Sequence, residues 1–144
     1  MSRPITRLIV HCSYTPPSMD IGAETIRHWH TSPDVNDPSK PWRDIGYHYV
    51  IRRDGRVERG RNEAVAGAHT RGENMDSLGV CLVGGKAEGD SRDECNFTAA
   101  QFGSLEKLIR QLRSRWPGIK VSGHNDWANR ACPTFNAREY AAWL

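Results

Sequence analysis

Ser77-Leu78-Gly79-Val80-Cys81-Leu82-Val83-Gly84-Gly85 is the most apolar run in the chain. It is too short for a helix and is ended by two glycines, so it reads as a central, buried strand. Cys81 within it reads as a buried small hydrophobe. A second run, Thr6-Arg7-Leu8-Ile9-Val10-His11-Cys12-Ser13, is stopped by Thr15-Pro16-Pro17 and reads as another buried strand. Alternation puts His11 on one face with Ile9 and Ser13, and Cys12 on the other with Val10 and Leu8. A histidine near the end of such a strand opens onto the sheet edge, where clefts form. A core histidine bonded to a backbone carbonyl satisfies the same pattern.

Outward from these strands the chain alternates helix and strand. Ala23 to Thr31 reads as a short helix with Ile26 and Trp29 on its apolar side and His30 at the surface. A proline-rich loop, Ser32 to Pro41, follows, of the long kind that borders binding sites. Asp44 to Arg61 reads as two strands around Asp54-Gly55, a pair suited to a two-residue hairpin turn. Tyr47, Tyr49 and Ile51 would share one face; Tyr47 follows Gly46 at the strand entrance, where its hydroxyl could reach a cleft. Asn62 to Asp76 reads as a surface loop carrying His69, and Lys86 to Asn96 as a charged, mobile one with Cys95 a free thiol. Thr98-Ala99-Ala100-Gln101 has the form of a capping box. It opens a helix to about Trp116 whose apolar side is Phe102, Leu105, Leu108, Ile109, Leu112 and Trp116. Ile119 to Ser122 is a brief strand, and a short helix after Asn136 closes the domain through Tyr140, Trp143 and Leu144.

The bulk numbers narrow the class. A chain of 144 residues suits one compact domain spanning 1–144. With 38% hydrophobic and 26% charged residues it is ordinary for a globular protein. No stretch reaches the ~18 apolar residues of a membrane span, so no membrane insertion is expected. Met1-Ser2-Arg3-Pro4 leads directly into the first strand with no apolar leader, which predicts cytoplasmic synthesis without a signal peptide. Four cysteines in an unexported chain do not suggest a disulfide framework. The net charge of +3 suits an anionic surface such as a cell wall, and is too small and scattered to suggest a nucleic-acid partner.

The chemistry gathers in Gly123-His124-Asn125-Asp126-Trp127-Ala128-Asn129-Arg130-Ala131-Cys132-Pro133, a loop by composition. Its histidine and cysteine are the two ligand types zinc prefers. Two ligands do not hold a catalytic zinc, and His11 is the best candidate for the third. Three protein ligands with a vacant fourth position would mark a catalytic site, in which zinc lowers the pKa of bound water to about 7 and polarises a carbonyl. Arg130, two residues before Cys132, is placed to stabilise an oxyanion. Tyr47 could hydrogen-bond the attacking water or the substrate oxygen. The same residues also fit a turn histidine and a buried thiol.

Taken together, Val10-His11-Cys12-Ser13, Trp29-His30, Asp44 to Gly55, Gly60-Arg61, Gly67-Ala68-His69, Ser77 to Gly85 and Ala131-Cys132-Pro133, in that order, resemble the phage-type N-acetylmuramoyl-L-alanine amidases. That family includes the peptidoglycan recognition proteins. The resemblance implies an α/β fold, a central mixed β-sheet flanked by helices, with zinc at one end of a surface groove. It implies His11, His124 and Cys132 as zinc ligands, Tyr47 as the catalytic tyrosine and His69 as a substrate-binding residue of the groove wall. The family carries a lysine where this chain has Arg130; arginine keeps the charge but cannot exchange a proton. The implied activity is zinc-dependent hydrolysis of the amide bond between N-acetylmuramic acid and L-alanine in bacterial peptidoglycan. A monomeric phage or prophage endolysin for a Gram-negative host is expected, reaching the wall after the inner membrane is permeabilised. Two alternatives stand beside it: a peptidoglycan-binding module that does not cut, usually marked by loss of the cysteine ligand, and a cysteine hydrolase using Cys132 and His124.

Overall fold

The structure is a computed structural model that describes residues 3–144. Met1 and Ser2, the head of the segment read as leaderless, lie outside the described residues. The elements are β1 (Arg7–Cys12), α1 (Ala23–His30), β2 (Tyr49–Ile51), β3 (Val57–Arg59), β4 (Ser77–Leu82), α2 (Ala99–Arg115), β5 (Lys120–Gly123) and α3 (Ala137–Ala142), with a single 3-10 turn at His124–Asp126.

The strands form one sheet in the order β3-β2-β4-β1-β5. β2, β4, β1 and β5 pair in parallel and β3 lies antiparallel on β2, so the sheet is mixed, as the resemblance implies. The two most apolar runs are its centre: every residue of β4 is buried, and all of β1 after Arg7. Alternation sorts their side chains. Leu8, Val10, Leu78, Val80 and Leu82 face Leu105, Leu108, Ile109 and Leu112 of α2 and Ala137 and Ala141 of α3. Val50, Cys81 and Val83 face Ala23 and Ile26 of α1. Burying each such aliphatic chain contributes about 1.5–3 kcal/mol, which makes this two-sided sheet the rigid base of the molecule.

The capping box forms as read: Gln101 N donates to Thr98 Oγ1 at 3.0 Å and Thr98 N to Gln101 Oε1 at 2.9 Å. The Gln101 side chain also reaches the sheet, its Nε2 donating to the carbonyls of Ile51 (3.1 Å) and Val83 (2.9 Å). The cap therefore docks α2 as well as starting it.

Several local expectations are corrected. The hairpin loop holds three residues, Arg53-Asp54-Gly55, because Arg52 still pairs with Arg56 (N to O, 2.9 Å). Gly55 takes φ +89°, the left-handed residue that such a loop requires. Tyr47 does not share a face with Tyr49 and Ile51. It precedes β2 in irregular backbone and packs with Val50 and Cys81, toward α1. Lys86 to Asn96 is folded back as a ladder, with Lys86 opposite Asp93 and Ala87 N bonded to Arg92 O at 2.8 Å. Trp143 is 84% exposed, so α3 seals the core through its alanines, with Tyr140 and Leu144 packed alongside. The ends of α1 are reversed from expectation: Trp29 is 40% exposed, whereas His30 packs inward on Trp42 and Tyr47.

His48, also buried, ties the chain before β2 to β4. Gly79 N donates to its Nδ1 at 3.0 Å, and its Nε2 lies 2.8 Å from Val65 O and 3.1 Å from Arg3 Nη2. Burial lowers its pKa from 6.5 to about 4. Between those values the unfolded chain binds a proton that the folded chain refuses. Stability is therefore complete above pH 6.5 and falls as the pH drops toward 4, by about 3 kcal/mol from this residue. Urea midpoints measured from pH 7 to 4 should show that decline, and His48→Gln should make it shallower, the remaining slope coming from the other buried histidines.

Candidate metal centre

Two adjacent parallel strands set the position of the centre. The β1–β5 register pairs Val10 with Gly123, so His11 and His124 are the next residues at neighbouring carboxyl ends of the sheet. Their ring centroids lie 4.6 Å apart. Ligand sites in open parallel sheets gather at this end, because the strands stop there and the following loops diverge.

The loop after β5 returns the third donor. His124 O accepts from Trp127 N (3.0 Å) and Ala128 N (3.1 Å), which turns the chain, and Asn125 N donates to Cys132 O at 2.8 Å, which closes it. The closure is tight: a Cβ on Gly123 would lie 2.5 Å from Asn125 Oδ1 and 2.9 Å from Pro133 Cδ. The sulfur of Cys132 then accepts from the backbone N–H of Cys12 at 3.1 Å.

The outcome is one cluster. A ring nitrogen from each of His11 and His124 and the sulfur of Cys132 all lie within 4.8 Å of one another. Among the described residues it is the one group of three or more such side chains able to share a metal ion. The donor set fits zinc in chemistry, two imidazoles and a thiolate with no fourth protein ligand in the cluster.

Electrostatics favour the neutral imidazole a metal needs. Burial, then the neighbouring rings of His69 and His124 and the Arg130 guanidinium, hold His11 well below the usual imidazole range. Burial and Arg130 lower His124. The Cys132 thiol is pushed up, by its bond with the Cys12 thiol and then by burial. A cation bound at the cluster would displace the thiol proton and leave the thiolate as ligand.

Arg130 is exposed, and no carboxylate pairs with it among the described residues. Its charge is nevertheless felt at both histidines, where it disfavours the protonated imidazole. Tyr47 is brought beside the cluster, its ring 5.1 Å from that of His11. Gly46 N donates to His30 Nδ1 at 2.9 Å and Arg61 N to Tyr47 O at 2.8 Å, so the segment is held on both sides. Burial raises the Tyr47 phenol well above 10, and the nearby Cys81, Cys132 and Cys12 thiols add to this. The hydroxyl thus keeps its proton, beside the Cys81 thiol.

His69 lies behind the cluster instead of along an open groove wall. It is 9% exposed, and its Nδ1 is 2.9 Å from His11 Nε2. His30 and Thr70 were not among the expected site residues. Thr70 is 2% exposed and its hydroxyl lies 3.1 Å from His11 Nε2. One sequence signal pointed toward this cluster: Gly79 interrupts the interior of a strand, the mark of a close approach by another group.

The family model described as N-acetylmuramoyl-L-alanine amidase matches residues 1–135. This chain belongs to that family. The endolysin of Klebsiella phage KP32 is 41% identical over 135 residues, 94% of this chain and 84% of that protein. Among solved structures, the N-acetylmuramoyl-L-alanine amidase LysC from Clostridium intestinale superposes with a TM-score of 0.74 at 26% identity, covering 97% of this chain and 83% of that one. The bumblebee peptidoglycan recognition protein PGRP-SA gives a TM-score of 0.74 at 27% identity over 98% and 83% of the two chains. The amidase is thus related to phage endolysins and to the recognition proteins, with the mixed sheet and flanking helices that the resemblance implied.

Proposed function

We propose that this amidase cuts the bond between the lactyl group of N-acetylmuramic acid and the L-alanine of the stem peptide in bacterial peptidoglycan, with zinc held by His11, His124 and Cys132. The observation that carries the reading is the convergence of those three donors at one sheet end. A zinc ion held by these three residues would supply a Lewis acid, able to polarise a carbonyl and to lower the pKa of water to about 7. The chain's own residues supply the rest. Arg130, permanently charged, stabilises negative charge growing on the carbonyl oxygen and takes no part in proton transfer. Tyr47, a protonated phenol, donates a hydrogen bond that orients the water or the substrate oxygen.

The relatives' activity as endolysins supports a role in host lysis, with the protein made in the cytoplasm and acting on the wall as a monomer once the inner membrane is breached. No helix among the described residues is long and apolar enough to cross a membrane. The presence of Cys132 favours a cutting enzyme over a binding module. The convergence of a second imidazole, His11, on Cys132 and His124 favours a metal centre over a cysteine hydrolase, which needs only one.

The test is purified peptidoglycan incubated with zinc-loaded protein. Stem peptides with new L-alanine amino termini should appear, disappear with a chelator and return with added zinc. Binding without new termini would establish the module instead; activity that survives zinc removal yet dies on alkylation of Cys132 would establish the thiol enzyme.

A further inference from the structure

His69 is a buried imidazole beside the cluster to which the proposed chemistry assigns no task, and the fold goes to some length to hold it. Two glycines open its slot. A Cβ on Gly79 would lie 2.6 Å from the ring and one on Gly67 would lie 2.7 Å from it, so any other residue at either position displaces the imidazole. Gly79 sits inside β4, where glycine costs about 0.5–1 kcal/mol relative to alanine, so the slot is maintained against a local penalty. Asn74 holds the backbone below, its Oδ1 accepting from His69 N at 3.1 Å and Thr70 N at 3.0 Å.

The contacts in the slot favour one proton arrangement. Ser77 Oγ gives its hydrogen to Glu73 O at 2.7 Å, so toward His69 Nε2, 3.4 Å away, it can only accept. His69 Nε2 therefore carries the proton and its Nδ1 presents a lone pair. That lone pair faces His11 Nε2 at 2.9 Å and Thr70 Oγ1 at 3.0 Å, and Thr70 Oγ1 lies 3.1 Å from His11 Nε2. A hydrogen on His11 Nε2 has two acceptors there. A bare Nε2 would oppose a second bare nitrogen.

We infer that His69 and Thr70 are positioning residues: they lock His11 in the tautomer protonated on Nε2, aim its ring, and leave Nδ1 as the metal-binding nitrogen. This rests on the zinc reading above. It differs from the groove-wall expectation, since His69 then acts through His11 and touches no substrate. Partners of this kind typically change metal affinity 10- to 100-fold when removed.

Zinc dissociation constants, measured on the whole chain by competition with a chromogenic chelator, test the inference. His69→Leu should weaken zinc binding about 10- to 100-fold, and Thr70→Val should weaken it by a smaller factor. His69→Asn, which returns an acceptor near the Nδ1 position, should recover most of the loss; a purely space-filling role would favour leucine over asparagine. At saturating zinc the KM for peptidoglycan fragments should not change. Unchanged zinc affinity in both His69→Leu and Thr70→Val, or a raised KM with unchanged zinc affinity, overturns the inference and leaves the metal site standing. A wild-type chain that binds no zinc overturns both. Should His69→Leu not fold, nitrogen NMR of the zinc-loaded wild type decides: His11 is expected to be protonated on Nε2, and a proton on Nδ1 overturns the assignment.

Discussion

Cys132→Ala is expected to empty the metal site and to slow amide hydrolysis by at least about a thousandfold, equivalent to about 4 kcal/mol of transition-state stabilisation. With its sulfur gone, two histidines remain, and two ligands do not hold a catalytic zinc against solvent. The fold should survive. Cys132 lies on a loop, half-buried, and the bond that closes that loop, Asn125 N to Cys132 O at 2.8 Å, belongs to the backbone. Metal content of the purified variant, read beside its melting temperature, separates loss of ligand from loss of structure. Cys95→Ala is the control, since Cys95 is exposed. A Cys132→Ala protein that kept one equivalent of zinc and full turnover would refute the ligand assignment.

Tyr47→Phe is expected to retain zinc and to lose about 10²- to 10³-fold in kcat, with little change in KM. The substitution removes one oxygen. The ring keeps its neighbours, His11 with centroids 5.1 Å away and His30 at 5.5 Å, so the wall it forms persists. What disappears is a donor held in place beside the metal ligands, which a mobile water does not reproduce in position. Because burial raises the phenol well above 10, the wild-type rate should show no loss from tyrosine ionisation through the mildly alkaline range. Normal kcat in Tyr47→Phe would remove the hydroxyl from the mechanism.

The two central strands and α2 were legible because their signals are local. Short apolar runs bounded by glycine or proline, and a capping box ahead of a helical stripe, carry their meaning within a dozen residues. Turn length was less legible, since Asp-Gly serves both a two-residue turn and the three-residue loop found at Arg53-Asp54-Gly55. Tyr47 was turned to the wrong face for a related reason. Strict alternation holds only inside a strand, and β2 begins at Tyr49.

At the centre, ligand chemistry could be read and partnership could not. Histidine and cysteine announce zinc wherever they stand, and the ordered motifs around them name the family. That His11 meets His124 follows from β1 pairing with β5 in one register, a contact no local pattern encodes. Cys12 and Cys132 touch across 120 residues of sequence for the same reason. The inward packing of His30 and the burial of His69 were likewise decided in three dimensions. Each lies in a polar neighbourhood of the chain that reads as surface, and each is taken inside by a distant group: the Gly46 amide for His30, the Gly67–Gly79 slot for His69. The sequence by itself determined which atoms are able to bind and to react, because that is a property of residue type. The tertiary structure decided which of them act together, because proximity at this sheet end is produced by strand register and glycine-cut space between segments far apart in the chain.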